Sequence, residues 1–403
     1  MNDRAQGLPL AGLRVLDLSA FLSGPLAAAM LADQGAEVVK VEPPEGDVSR
    51  AIGPAKGRMS ATYIACNRGK RGLALDLKCA AGRAVLRELA ARADVLAENF
   101  RPGVMARLGL DDASLALLNP RLVHLSITGF GRSGPYAMGR AYDAVIQAIG
   151  GFSAAHRDRA SGEPALLATT VCDKLTALTA AQAVTAALFA RERDGRGRRV
   201  EIAMLDAAVA FQWPDAMFNH AFVDDAPEAF PPFGATTRPY RTRDGHVAVM
   251  MPQNDEFSAF CAGIGIPELA RDPRYATTPL RHKAAAELRA RFEPLLAQRD
   301  TDEIVTALRA AGVPIGRVNE HGEVLTDPQV VHSGLIAEVP HPDIGRVRLP
   351  RGAARWDGER GPAPGPAPAL GEHGAQVLRD WLGCGDDAIG ALRADGVLVG
   401  GAG

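Results

Sequence analysis

The chain has 403 residues, 47% of them hydrophobic, with 45 basic against 47 acidic side chains and a net charge of −2. That apolar content can build one large core or two moderate ones, and the balanced charge argues against a nucleic-acid or membrane-surface partner, which calls for a one-signed excess. Five scattered cysteines (Cys66, Cys79, Cys172, Cys261, Cys384), with no CxxC or His-rich spacing, speak against a disulfide framework or a metal site and fit a reducing compartment. No apolar N-terminal region of signal-peptide length and no run near the roughly 20 apolar residues of a membrane span are present. The expectation is a soluble, cytoplasmic protein.

The elements then follow in order. LRVLDLS (Leu13 to Ser19) is a short apolar run of buried-strand type. GPLAAAMLADQGA has helical spacing with Gly24-Pro25 at its front and Gly35 at its end. EVVKVEPP is a second strand, stopped by its prolines. RGLALDLK, DVLAENF and RLVHLSITGFG read as further strands, separated by helical AGRAVLRELAARA and RPGVMARLGLDDASLALLNP. Strands alternating with helices predict a parallel sheet covered on both faces, with ligands at the carboxyl ends of its strands. A helical region from Asp143 to Arg193 follows, broken by a polar loop at HRDRASGEP, then the strand VEIAML and a helix. Composition shifts to Asp, Pro and Phe between Val223 and Pro239, as in a linker. Beyond it, YRTRDGHVAVMM carries an Asp244-Gly245 hairpin signal, and three helical segments complete a small α+β region. The Pro-rich GPAPGPAPALG reads as an extended strap, followed by a short amphipathic helix, GAQVLRDWLG.

Three features bear on chemistry. Gly129-Phe-Gly131-Arg-Ser-Gly134 matches GxGxxG after a strand, but Pro135 follows where a dinucleotide fingerprint needs a helix opening within the glycines. A loop at the ligand end of the sheet is the better reading. Cys172 is either a small buried residue or a thiol activated by a helix N-terminus and Lys174. Asp173 is either an N-cap, contributing on the order of 1 kcal/mol, or a nucleophile kept ionised by the same helix end. Local chemistry favours the cap and leaves the nucleophile open.

Several segments in register resemble the class III CoA-transferases of CaiB/BaiF type, the family of formyl-CoA transferase and of the carnitine and bile-acid CoA-transferases. They are LAGLRVLDLSAFLSGPLAAAMLADQGAEVVKVEPPEGDVSR, NRGKRGLALDLK, ADVLAENFRPGVMARLGL, NPRLVHLSITGFGRSGPY, RAYDAVIQAIGG, FARERDGRGRRVEIAMLDAAV, YRTRDGHVAV and GVPIGRVNEHGEVLTDPQVVHSGLIAEVPHP. The resemblance implies a large α/β domain with an open, parallel, Rossmann-like sheet covered by helices, a small α+β domain, and an intertwined, ring-like homodimer. On this reading residues 1–220 with 325–403 form the large CoA-binding domain, 221–239 a linker and 240–324 the small domain. The implied activity moves coenzyme A from an acyl-CoA thioester to a carboxylic acid, with coenzyme A as substrate, no tightly bound cofactor and no metal.

Asp173 stands where the family has an aspartate that attacks the thioester. By the same resemblance Leu75, Asp76, Lys78, Asn99, Phe100, Arg107, Arg140, Ala141 and Tyr142 are positions along the coenzyme, where Arg and Lys suit its phosphates. Leu22, Ser23 and Gly234 are candidates for the acyl and oxyanion region. Two departures remove support for formyl or oxalyl selectivity: Leu22 replaces a glutamine, and Pro43 an arginine, seen in formyl-CoA transferase. Arginine-rich surroundings permit a dicarboxylate such as succinate as an exchanged acid. The alternatives are an α-methylacyl-CoA racemase, whose histidine is Tyr142 here, a poor base at neutral pH, and a CoA-ester binding protein without turnover.

Overall fold

The computed structural model describes residues 7–158, 161–230 and 238–401. The chain falls into two compact units. Residues up to Ser153, with Leu166–Phe211 and the chain from Gln329 onward, make the first; Ala154–Ala165 with Gln212–Pro328 make the second.

In the first unit, six strands lie parallel: β1 (Arg14–Asp17), β2 (Glu37–Glu42), β3 (Arg71–Leu75), β4 (Val95–Glu98), β5 (Val123–Thr128) and β6 (Arg198–Ala203). Their spatial order, β3-β2-β1-β4-β5-β6, is the doubly wound arrangement in which ligands bind where the order reverses, at the carboxyl ends of β1 and β4. Burial is nearly continuous along β2, β4 and β5, as expected when both faces are covered. Successive residues of β1 point to opposite faces. Val15 joins the core of Val95, Val123 and Leu125, while Leu16 joins that of Val39, Leu73 and Leu96.

Helices α1 (Ser23–Asp33), α2 (Ala61–Asn67), α3 (Ala80–Arg92), α4 (Asp143–Ile149) and α5 (Val171–Asp194) flank the sheet. α1 and α5 pack on each other through alanines, Ala27 and Ala28 sharing one core cluster with Ala177, Ala180 and Ala181. Side chains of this size let two backbones approach closely. α5 ends at Gly195, whose φ of 74° and N–H bond to the Arg191 carbonyl form a left-handed cap.

The Pro-rich segment is an extended strap: Gly69 N–H donates to the Gly365 carbonyl and His373 N–H to that of Gly72. A strand at 398–399 pairs antiparallel with β3, placing Leu398 opposite Leu75 at the sheet's edge. The second unit holds a three-stranded antiparallel sheet of Tyr240–Arg241, His246–Val249 and Ile315–Arg317. The Asp244-Gly245 turn joins the first two, and the Asp244 carboxylate accepts the N–H and hydroxyl of Thr301 (2.8 and 2.6 Å). Helices Asn254–Gly263, Ala285–Leu296 and Thr301–Ala310 bury Phe257, Phe260, Phe292, Ile304 and Leu308 beside that sheet.

Candidate active site

The turn after β1 is held from several sides. Asn99, just past β4, spends its whole amide on Ala20: its Oδ1 accepts the Ala20 N–H (2.8 Å) and its Nδ2 donates to the Ala20 carbonyl (2.7 Å). Phe21 adopts a left-handed φ of 72°, a conformation that a bulky residue takes only when its surroundings dictate it. The surroundings here are the Asp47 carboxylate, which accepts the Phe21 N–H (3.2 Å), and the Tyr142 ring, edge-on to that of Phe21 at 6.1 Å.

Beneath the turn lies a buried ionic network. Lys40 donates to the Ser19 carbonyl and to Asp47 (2.9 Å). Lys70 donates to Asp17 (2.8 Å), the Pro25 carbonyl (2.8 Å) and Asn67 (2.9 Å). Burial alone would raise the Asp17 carboxyl, but Lys70 and Lys40 outweigh it and hold it below its ordinary value. Glu42 takes Arg50 by two 2.7 Å bonds and the Tyr63 hydroxyl at 3.0 Å. With no water to turn to, each of these charges depends on its partners.

Asp173 sits in the first turn of α5, 4% exposed. It is not the helix cap. Thr170 holds the cap position without a side-chain bond, and the capping carboxylate comes from Asp143, thirty residues earlier, whose Oδ1 accepts the Asp173 N–H (2.9 Å). Asp143 opens α4 and is itself held by Gln147, whose Nε2 donates to Asp143 Oδ2 (2.6 Å) and to the Thr169 carbonyl (3.2 Å). Gln147 Oε1 accepts the Leu167 N–H (2.9 Å). One orphan N–H of the helix start is thus satisfied by a side chain from another helix, which frees the Asp173 carboxylate for something else.

That carboxylate has an unpaired buried oxygen, Oδ2. Burial pushes its pKa up to about 7 and the Asp143 charge adds to the rise, while the Ser23 hydroxyl and then the Lys174 ammonium oppose it. Leaving an anion buried and unsatisfied costs about 1–3 kcal/mol or more, and poorly paired acids in clefts are where chemistry is found. Cys172 is the contrary case: it is wholly buried in the core, and burial and then the two aspartates push its thiol up to about 12, away from the thiolate form that reacts.

The turn interactions bring Asn99, Tyr142 and Asp173 together with the Leu22–Ser23 start of α1. Leu22 is buried and Ser23 opens the helix. Ala141 presses on the loop after β5, where a side chain at Gly129 would meet the Ala141 Cβ at 2.2 Å. That loop runs through Gly131 and Gly134, both with positive φ, and the next helix opens only at Asp143, so no dinucleotide turn forms. Leu75, Asp76 and Lys78 lie farther off, at the carboxyl end of β3. Leu75 is wholly buried, Asp76 Oδ1 accepts the Lys78 N–H (2.9 Å), and the Lys78 ammonium lies 3.4 Å from Glu45. Phe100 is half-buried with its N–H on Glu98 (2.7 Å). Arg107 and Arg140 are exposed, and their guanidinium groups form no hydrogen bond or ion pair among the described residues. Gly234 lies outside the described residues.

Asp143 and Gln147 were missed from sequence, because nothing local ties residue 143 to residue 173. The available signal was an acid opening one helix close to the loop that precedes another.

Residues 10–374 match the model of CoA-transferase family III. The chain belongs to this family. The human succinyl-CoA:glutarate CoA-transferase is 32% identical over 395 residues, covering 97% of this chain and 90% of the relative. The succinate–glutarate CoA-transferase of Agrobacterium fabrum is 36% identical over 390 residues, with 92% and 95% covered. Among solved structures, a CaiB/BaiF family protein from Brucella suis superimposes with a TM-score of 0.81 at 34% identity, over 93% of this chain and all of that one. The present CoA-transferase accordingly shares the family's mixed α/β fold with its mainly parallel central sheet, and its substrates are CoA thioesters. No helix among the described residues is long and apolar enough to cross a membrane.

Proposed function

We propose that this enzyme moves coenzyme A between two carboxylic acids through a covalent intermediate on Asp173. The observation that carries the reading is the buried, partly unsatisfied Asp173 carboxylate at a helix N-terminus whose N–H group is already occupied by Asp143. An Asp173 oxygen attacks the thioester carbonyl carbon, the C–S bond breaks, and the CoA thiolate leaves behind a mixed anhydride. The thiolate then attacks the Asp173 carboxyl carbon, releasing the donor acid and forming an aspartyl-CoA thioester. The acceptor carboxylate attacks that carbon in turn, and the thiolate returns to the acceptor's acyl carbon, restoring the aspartate. No proton or water is consumed, which suits a buried site.

Tetrahedral oxyanions arise at each step and call for N–H donors. The start of α1 at Leu22–Ser23 is the candidate on this side, with Gly234 a second candidate by resemblance. Leu75, Asp76, Lys78, Asn99, Phe100, Arg107, Arg140, Ala141 and Tyr142 make up the proposed coenzyme path. The unpaired guanidinium groups of Arg107 and Arg140 suit its phosphates. The relatives named for succinyl-CoA and glutarate favour a dicarboxylate acceptor. A homodimer and a cytoplasmic location belong to the same reading.

Intact-mass measurement after incubation with succinyl-CoA tests it: the expected species is protein plus CoA with loss of water, removed by mild hydroxylamine. Asp173→Ala is expected to lose the adduct and to lower transfer by about a thousandfold or more. Transfer at the wild-type rate by that variant would overturn the assignment.

A further inference from the structure

Lys174 has no part in the mechanism above, yet its placement is unusual. It is exposed, while Cys172, Asp173 and Leu175 around it are buried. It stands in the first turn of a 24-residue helix, where the dipole favours anions and a cation is out of place. Residues that break a local rule without local compensation are expected at functional positions.

Its surroundings narrow the role. The ammonium donates to the Thr169 hydroxyl (2.5 Å) and forms no ion pair among the described residues. The buried lysines of the same unit differ: Lys40 and Lys70 each hold a carboxylate. The Thr169 turn is not loose, since Gln147 Nε2 holds its carbonyl and the Asp143–Asp173 bond fixes the helix start behind it. A cation without a close ion-pair partner among the described residues is therefore held in place by Thr169, one residue along the chain from the reacting acid. Lys174 is the one basic side chain in the segment 169–175 that carries Asp173.

We propose that Lys174 reads a second carboxylate on the exchanged acid, so that the enzyme prefers dicarboxylates to monocarboxylates of the same length. The distal carboxylate takes the ammonium in place of the Thr169 hydroxyl, and the reactive end is thereby directed to Asp173. Lys174 is a specificity residue on this account, with no bond made or broken at it. The proposal rests on the reading that Asp173 exchanges CoA between acids.

The test compares glutarate with valerate as acceptors, using acetyl-CoA as a donor without a second carboxylate, in wild type, Lys174→Met and Lys174→Arg. The readout is the ratio of kcat/KM for the two acids. Wild type is expected to favour glutarate, Lys174→Met to lower the ratio by about tenfold or more, the scale of a hydrogen bond to a charge, and Lys174→Arg to restore part of it. If Lys174 acts only by tuning Asp173 or by supporting the helix, both acids change together and the ratio stays put. That result overturns the proposal, as does a wild type without preference. Failure of the underlying reading is distinguishable, because a protein that transfers CoA to neither acid and forms no adduct on Asp173 fails before any ratio is measured.

Discussion

Asp173 and Asp143 work as an unequal pair of acids. Both are buried, but Asp143 spends its oxygens on an N–H and an amide, whereas Asp173 keeps one oxygen unpaired. With its pKa raised to about 7 by burial and by Asp143, Asp173 ionises near neutrality, and in the proposed mechanism only the ionised form attacks. The kcat/KM profile should therefore rise with pH through an acid limb near 7. Asp143→Asn removes a negative charge while keeping an acceptor for the Asp173 N–H, so its limb should move to lower pH; an unmoved limb would show that Asp143 does not act on the charge of Asp173. The stability sign follows the same shift. A folded-state pKa above the unfolded value favours the protonated, folded form. The contribution is fully present below the unfolded pKa of about 4 and is lost as pH rises to about 7. Asp173→Asn should consequently be more stable than wild type at pH 8, by about 1–3 kcal/mol in denaturant unfolding, while inactive. Function and stability pull in opposite directions at this one residue.

Among the elements, β1, the turn after it and α1 form the frame on which the site depends. The buried Lys70–Asp17 and Lys40–Asp47 pairs lie under the turn, and removing one partner strands the other. Lys70→Met should cost about 3–5 kcal/mol, read as a lower denaturant midpoint with an unchanged slope. A loss below 1 kcal/mol would mean that water reaches Asp17. The strands and helices of this region were legible in sequence because parallel strands buried on both faces are written as continuous apolar runs, LRVLDLS and EVVKVE among them. The site was legible only in part. Asp173, Ser23 and Leu22 were proposed through resemblance, whereas the cap reading of Asp173 was the local expectation and is incorrect: a carboxylate thirty residues away does that work. Lys40 and Lys70 look like ordinary strand-edge charges, since their counter-ions are 7 and 53 residues distant. Pairing across such separations leaves no local pattern.

At the scale of the molecule, the short strand 398–399 decides how β3 ends. Its two residues were too few to stand out as a strand in sequence, yet Asp76 N–H donates to the Val397 carbonyl (3.0 Å) and Leu398 pairs with Leu75. The same strand fills the space against Gly371 and Gly374, where added side chains would meet Val399 and Leu398 at 2.0 and 2.8 Å. A chain stopped at residue 396 would leave the β3 edge unpaired, and unpaired edges recruit other chains. Such a protein should unfold at lower denaturant and aggregate on concentration, with amide protection lost first at Ala74–Asp76 in hydrogen exchange. Wild-type protection there would show the strand to be dispensable.

The first unit is assembled from pieces on either side of the second, and this has a consequence for birth of the protein on the ribosome. The second unit is continuous from Gln212 to Pro328 apart from one short excursion, so it can complete its core while synthesis continues. The parallel sheet must wait, its border strand and proline strap still unmade, with β3 already outside the exit tunnel and one edge open. The emerging enzyme passes through a stage in which the part bearing Asp173 is the less finished of the two.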